Sequence, residues 1–464
     1  MTQDQTQDDT RYDAVVIGAG QAGPSVAFAQ AAEGRRVAVV EMAQAGGTCL
    51  NHGCRPTKAL RASAVVAHSA RRAADFGVHV GEVRVDFGQA IRRVHTMIDA
   101  MRSGLDESLR STENLTYVHG QARLVGDPSG AEHRVVVTGD DGTETVLTTS
   151  NVYLNVGNRA AIPPIDGLEQ VPYLTEVELL ALTELPEHLV IVGGGYIGLE
   201  FGQMFRRFGS EVTIVAGGGI ASREDPDVQQ ILTDLFTGEG IRIVAGRPER
   251  VSGSTEGVSL EVPGVGTVTG SHLLVATGRR SNSDQLGPES GLETDEHGFV
   301  LTDDRYATNL PGVWALGDVN GRGAFTHTSY QDGDIYLHPP RTVAGRVTTY
   351  AMFTDPPLGR VGMSLQEARE SGRRVLKGEV PMSSVSRAKL ESEETGVMRV
   401  LVDADTEEIL GATILGLQAD DVVQVVGVAL QAGIRYPVLR DALPIHPTVS
   451  EFFPTVLGSL QPLD

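Results

Sequence analysis

The chain has 464 residues, too many for one hydrophobic core and enough for about three domains of ordinary size. Hydrophobic residues make up 41% and charged residues 21%, and no apolar run approaches the roughly 20 residues that would span a bilayer. The formal net charge of −22 keeps the surface solvated and excludes a nucleic-acid partner, which needs clustered Lys and Arg. Residues 1–10, MTQDQTQDDT, lack the basic start and apolar stretch of a secretory signal. They are expected to form a disordered tail on a cytoplasmic protein.

In chain order, YDAVVIGAGQAG places the apolar Ala14 to Ile17 directly before glycines, as in a buried parallel strand. PSVAFAQAAEG reads as a helix and RRVAVVE as a second strand ending on Glu41, a βαβ unit of about thirty residues. GGTCLNHGCRPTK follows, and Pro56 to Ala74 is expected to be a long helix. Residues 115–157 alternate like short strands with the turns GDPSG and GDDG, and NRAAIPPIDGLEQVP is a proline-rich linker. At His188 the pattern restarts as HLVIVGGGYIGLEFGQMFRRFG and SEVTIVAG, so two dinucleotide sites are implied. Beyond Gly278 come YATNLPGVWALGDVNG and a strand pattern in TTYAMFTDPPLGRVG, then strands in VMRVLVDA and EILGATILG and a helix around Asp421 to Ala432.

In Gly18-Ala19-Gly20-Gln21-Ala22-Gly23 the first glycine permits the tight turn, the second the approach of a pyrophosphate, and the third close helix packing. Glu41 is placed to accept from a ribose. The second loop, Gly193 to Gly198, has the same logic, but its second strand ends Val215-Ala216-Gly217-Gly218-Gly219, with neither an acid nor an arginine at the distal position. Arg223 stands a few residues on, where a phosphate or plain solvent could face it.

The two cysteines of the chain, Cys49 and Cys54, lie five apart; random placement would bring them this close only about 2% of the time. Both precede Pro56, which suits the first turn of a helix, so both sulfurs are expected near a positive helix end that lowers thiol pKa values. The spacing allows a dithiol–disulfide cycle. A zinc site would need distant histidines alone, and no metal is expected. In ALPIHPTVSEFFP, His446 and Glu451 form a candidate acid/base pair, the carboxylate fixing the imidazole tautomer.

Together these residues resemble the flavoprotein disulfide reductases, the class I pyridine nucleotide-disulfide oxidoreductase family of dihydrolipoamide dehydrogenase, glutathione reductase and mercuric reductase. The resemblance covers nearly the whole chain, and GGTCLNHGCRPTK carries it most specifically. It implies an α/β fold with two Rossmann-like domains, an FAD domain at 11–157 and 279–345 and an NAD(P)H domain at 158–278. A C-terminal α+β interface domain at 346–464 would make a homodimer. It further implies that Gly18, Gly20, Gly23, Glu41, Gly47, Thr48, Gly157, Gly317 and Asp318 hold FAD. Cys54 would face the flavin and Cys49 attack substrate. Lys58 and Glu200 would pair beside the flavin. Tyr196 would act as a gate within the nucleotide loop Gly193, Gly195 and Gly198, and Arg279 would end the nucleotide domain. His446 and Glu451 would serve the disulfide of the other subunit.

Phrases such as FTHTSYQD and HPTVSEFFPTVLGSL look most like mercuric-reductase-like proteins, yet no cysteine follows Cys54 to relay a metal. His52 and Arg55 also depart from the family pattern, and Arg55 would bring a cation to the disulfide. The leading expectation is an enzyme passing electrons from NAD(P)H through FAD to a small disulfide. The alternatives are a dithiol oxidase that uses oxygen, its nucleotide site degenerate, and a flavin-binding scaffold for a partner protein.

Overall fold

A computed structural model describes residues 10–463; of the tail expected at 1–10, all but Thr10 lies outside the described residues. The chain divides into two compact units, the first comprising residues 1–60, 88–161 and 278–345, the second 61–87, 162–277 and 346–464. Among the described residues no helix is long and apolar enough to cross a membrane.

In the first unit, strand β1 (Ala14–Ile17) pairs in parallel with β2 (Val37–Glu41), and both are buried along their whole length. Buried on both faces, such strands read as nearly unbroken apolar runs, and each Val or Ile contributes about 1.5–3 kcal/mol. The full sheet runs Val313–Ala315, Val152–Leu154, β1, β2, Leu115–His119, all parallel. Helix α1 (Gly23–Ala32) packs its Val26, Ala27 and Ala31 into the core on one face with Val16 and Val39. The turns GDPSG and GDDG separate a three-stranded antiparallel sheet, residues 121–149. Helix α2 (Gly47–Asn51) follows, then helix α3 (Cys54–Arg71), which from Arg61 onward belongs to the second unit. The helix expected to run to Ala74 ends at Arg71 in favour of a 3₁₀ turn, Ala73–Phe76, closed by Gly77 at φ +73°. Asn158–Ala160, within the expected linker, instead pairs antiparallel with Arg279–Ser281.

In the second unit, strand β3 (His188–Val192) leads through glycines to α4 (Tyr196–Phe208) and β4 (Glu211–Ala216), and β5 (Arg242–Ala245) extends the parallel sheet beside β4. A six-stranded antiparallel sheet of residues 349–462 packs against the helix Ala419–Gln431 around Val400, Ala412, Val423 and Val426. Within this unit the buried Arg399 donates to Asp225 at 2.7 Å, to Glu379 at 2.6 Å and to Asp227. It thereby ties the start of the helix Pro226–Gly238 to that sheet.

Candidate active site

The turn after β1 is shaped by close approach. Gly18 has φ +96°, and a Cβ there would meet the Asn155 carbonyl oxygen at 2.4 Å; a Cβ on Gly23 would meet the Gly18 carbonyl oxygen at 2.3 Å. Only glycine fits either position. Asn155, at the end of the strand Val152–Leu154, accepts from Gly23 N at 2.9 Å and donates to Leu316 O at 2.8 Å. It thus locks the glycine loop to the WALGD segment. Glu41 is buried and accepts from Ala19 N at 2.8 Å and Ala43 N at 2.9 Å. Each of its oxygens keeps a lone pair for another donor. A cavity of about 570 Å³ opens alongside, lined by residues that include Gln44, Arg102, Arg110 and Tyr117, large enough for a nucleoside. Burial, then the charge of Glu41, pushes the Tyr117 phenol up to about 12.

The cysteines are free thiols at the meeting of two helices: Cys49 lies inside α2 and Cys54 opens α3. Gly46 at φ +101° caps α2, and a Cβ on Gly47 would come within 2.9 Å of Gly20 Cα, so the cysteine segment rests on the first glycine loop. Asn51 between the cysteines donates to the carbonyls of Ala45 at 3.1 Å and Gly47 at 3.0 Å, fixing the turn. Cys54 Sγ is 3.1 Å from the hydroxyl of Thr326, the first residue of the helix Thr326–Leu337.

The expectation that both thiols are acidified fails for Cys49. Its hydrogen bond to Cys54, then burial, then the negative charge of Cys54, push the Cys49 thiol far up, and Thr326 and Arg55 oppose this only in part. The Cys49 thiol therefore resists deprotonation while Cys54 stands beside it.

Burial pushes the Asp318 carboxyl up to about 6; Arg279 pulls it down, while Asp332 and Cys54 push it further up. Arg279, expected at the close of the nucleotide domain, is in the first unit and donates to Asn158 Oδ1 at 2.8 Å. The buried Asp332 accepts from Gly317 N at 2.8 Å, Asn320 Nδ2 at 2.9 Å and Tyr306 OH at 2.7 Å, which sets the turn that presents Asp318. Gly157 (φ +66°) accepts from Asn282 N at 3.1 Å, Thr48 is exposed and Lys58 half-buried on α3. Asn155, Thr326 and Asp332 were not anticipated as site residues, although Thr326 and Asp332 lie within the phrase FTHTSYQD. The faint signals were a polar residue closing the apolar VYL and an acid facing the core from a helix.

In the second unit the glycine loop repeats the first: a Cβ on Gly193 would lie 2.2 Å from Ala276 O, and one on Gly198 2.3 Å from Gly193 O, whereas Gly195 is open. Tyr196 begins α4 and is 38% exposed. Glu200 is buried on the same helix and accepts from Phe353 N at 2.9 Å. His446 Nδ1 is 2.8 Å from Glu451 Oε2. The imidazole is exposed and the carboxylate largely buried, so the pair orients Nε2 outward. Leu443 and Ile445 beside it are 98% and 79% exposed.

The family model for pyridine nucleotide-disulphide oxidoreductases matches residues 12–333, and the model of that family's dimerisation domain matches residues 348–457. The chain belongs to this family. It is 33% identical to the probable pyridine nucleotide-disulfide oxidoreductase RclA of Escherichia coli K12, covering 95% of this chain and 97% of that one. A mercuric reductase of Streptomyces lividans is 34% identical, with 92% of each chain covered, and a dihydrolipoyl dehydrogenase of Chlamydia muridarum 30% identical, with 95% of each covered. The solved structure of the HOCl-induced flavoprotein disulfide reductase RclA of Escherichia coli, a Cu(II) complex, superposes with a TM-score of 0.86 at 32% identity, covering 97% of this chain and 99% of that one.

Pyridine nucleotide-disulphide oxidoreductases use FAD and NAD(P)H, and this chain is an enzyme of that kind, acting on sulfur groups. The first glycine loop fits FAD on its own geometry, because Gly18 and Gly23 let the end of β1 and the start of α1 close tightly, where any Cβ would strike a carbonyl oxygen.

Proposed function

We propose that this protein is a homodimeric reductase of a small disulfide, drawing electrons from NAD(P)H and cycling Cys49 and Cys54 between disulfide and dithiol. The observation that carries the reading is the pair of free thiols, hydrogen-bonded to each other where α2 gives way to α3, in the unit whose glycine loop fits FAD. In this reading residues 11–157 and 279–345 bind FAD, 158–278 bind NAD(P)H, and 346–464 form the interface. Gly18, Gly20, Gly23, Glu41, Gly47, Thr48, Lys58, Gly157, Arg279, Gly317 and Asp318 hold FAD, and Lys58 and Glu200 act in catalysis. Gly193, Gly195, Gly198 and Tyr196 receive the nucleotide. FAD, when bound, supplies two-electron exchange between the nicotinamide and a dithiol–disulfide couple.

Cys49 passes its proton to His446 and attacks one substrate sulfur, breaking the substrate S–S bond. His446 returns the proton to the departing thiolate, with Glu451 holding the ring. Cys54 then attacks Cys49, which closes the internal disulfide and frees the second thiol. NAD(P)H and a proton restore the dithiol. Each His446, on its exposed segment, serves the cysteine pair of the other subunit. Because no cysteine follows Cys54, a relay of thiols for a soft metal is missing, and an organic disulfide is the better substrate class. A chain that depends on a reducible pair suits the cytoplasm.

The test is anaerobic mixing of the purified holoenzyme with NADPH or NADH in separate runs. Flavin bleaching should be followed by a long-wavelength absorbance that disappears in Cys54→Ser. Reduction by neither nucleotide, with bleaching by dithiothreitol and peroxide formation in air, would replace the reading with a dithiol oxidase.

A further inference from the structure

Read along the chain, the second strand of the nucleotide unit ends in glycines, and the position that normally selects between a ribose hydroxyl and a 2′-phosphate is vacant. The sheet fills it from the neighbouring strand. β4 and β5 pair in parallel with Ala216 opposite Ala245, and Gly246 N donates to Ala216 O at 3.2 Å, so residues 217–219 and 246–247 leave the sheet side by side. A Cβ on Gly217 would fall 2.4 Å from Cγ and 2.7 Å from Nε of Arg247. The stem of Arg247 therefore lies directly across Gly217, in the volume any side chain at 217 would need.

The glycine run is not slack. Gly219 N donates to Ala216 O at 3.2 Å and Ala221 N to Gly194 O at 2.7 Å, and a Cβ on Gly194 would meet Gly219 O at 2.7 Å. The loop is thus fastened to the nucleotide loop itself. Its far end is held too, by Glu224, which accepts from Tyr350 OH at 2.6 Å and pairs with Arg360 at 3.1 Å, and by Asp225 under Arg399. Ser222 sits beside Gly218, its Oγ 3.8 Å from where a Cβ would be.

Arg247 is exposed, and among the described residues neither its guanidinium nor that of Arg223 has a hydrogen-bond or ion-pair partner. Arg207, Arg360 and Arg399 each hold a carboxylate, whereas these two guanidinium groups border one loop and are open to an anion. Packing over a glycine would be served as well by Met or Lys. The planar five-donor fork is suited to a phosphate.

We propose that Arg247 is the residue that selects NADPH over NADH, its guanidinium receiving the 2′-phosphate of the adenosine ribose, with Arg223 and Ser222 at the rim. The proposal rests on the reading that the Gly193–Gly198 loop takes a nicotinamide dinucleotide. Only Gly217 leaves room for Arg247 to cross the end of β4, so the glycine run is the counterpart of the arginine rather than the scar of a lost site.

Equilibrium binding decides it. The holoenzyme and its Arg247→Leu and Arg247→Lys variants are titrated calorimetrically with NADP⁺ and with NAD⁺. NADP⁺ should bind the unaltered enzyme more tightly. Arg247→Leu should weaken NADP⁺ by about 10- to 100-fold, the worth of a charge-assisted hydrogen bond, and leave NAD⁺ unchanged. Arg247→Lys should fall between. Equal binding of the two nucleotides, tighter NAD⁺, or an equal loss for both in Arg247→Leu would overturn the proposal and leave the nucleotide site standing. Binding of neither would remove the site and the proposal together.

Discussion

Asn155 is the side chain on which the first unit's nucleotide loop hangs, and replacing it with leucine, close in volume and without polar atoms, isolates its hydrogen bonds. The change leaves Gly23 N–H and Leu316 C=O buried and unpaired. Each such group costs about 1–3 kcal/mol, so the pair costs about 2–6 kcal/mol. For a unit of roughly two hundred residues this corresponds to a fall in Tm of about 5–20 °C. The loop that closes on Gly18 and Gly20 loses its anchor at the same time, so flavin retained through purification should also drop. Asn155→Asp keeps the acceptor for Gly23 N but sets a charge against the Leu316 carbonyl, and should be no better. Differential scanning calorimetry with the ratio of flavin to protein absorbance reads both effects. A leucine variant that melts within about a degree of the parent with full flavin would refute the argument that Asn155 couples the two segments.

In flavin-free protein, Asp318→Asn should raise stability at pH 7.5 but not at pH 4. A carboxyl lifted from 3.8 to about 6 binds its proton more tightly when folded, so the parent loses about 3 kcal/mol as pH rises through that window. Equal melting differences at both pH values would contradict the burial of that charge. Cys54→Ser removes the largest cause of the raised Cys49 thiol. The pH midpoint for iodoacetamide labelling of Cys49 in the reduced protein, followed by peptide mass spectrometry, should therefore fall, and an unmoved midpoint would show that burial alone sets it. His446→Ala should lower kcat for a disulfide substrate by about 10²- to 10⁴-fold with flavin content intact, and Glu451→Gln by less, because it leaves the imidazole in place. Turnover unaffected by His446→Ala would dismiss the acid/base assignment.

The sequence by itself determined the two strand–glycine–helix units, because unbroken runs such as AVVI and LVIV bury both faces and the glycines that follow are required by local backbone approach. It also determined the cysteine pair and the five-residue spacing of His446 and Glu451, since a helix start or a tight turn delivers those neighbours without help from the rest of the chain. Helix limits were less legible: α3 stops at Arg71, where Gly77 closes a 3₁₀ turn. Only the tertiary structure decided which polar side chains complete the loops. Asn155 reaches Gly23 across 132 positions and Leu316 across 161, Asp332 sets the turn before Asp318 from a different element, and Arg247 crosses Gly217 from an adjacent strand. It also decided that the Cys49 thiol is raised, since that depends on burial and on the approach of Cys54, with Thr326, 272 positions from Cys54, opposing it. Periodicity and turn chemistry act over a few residues, whereas hydrogen-bond satisfaction and desolvation are settled only when distant strands and helices close around the same few atoms.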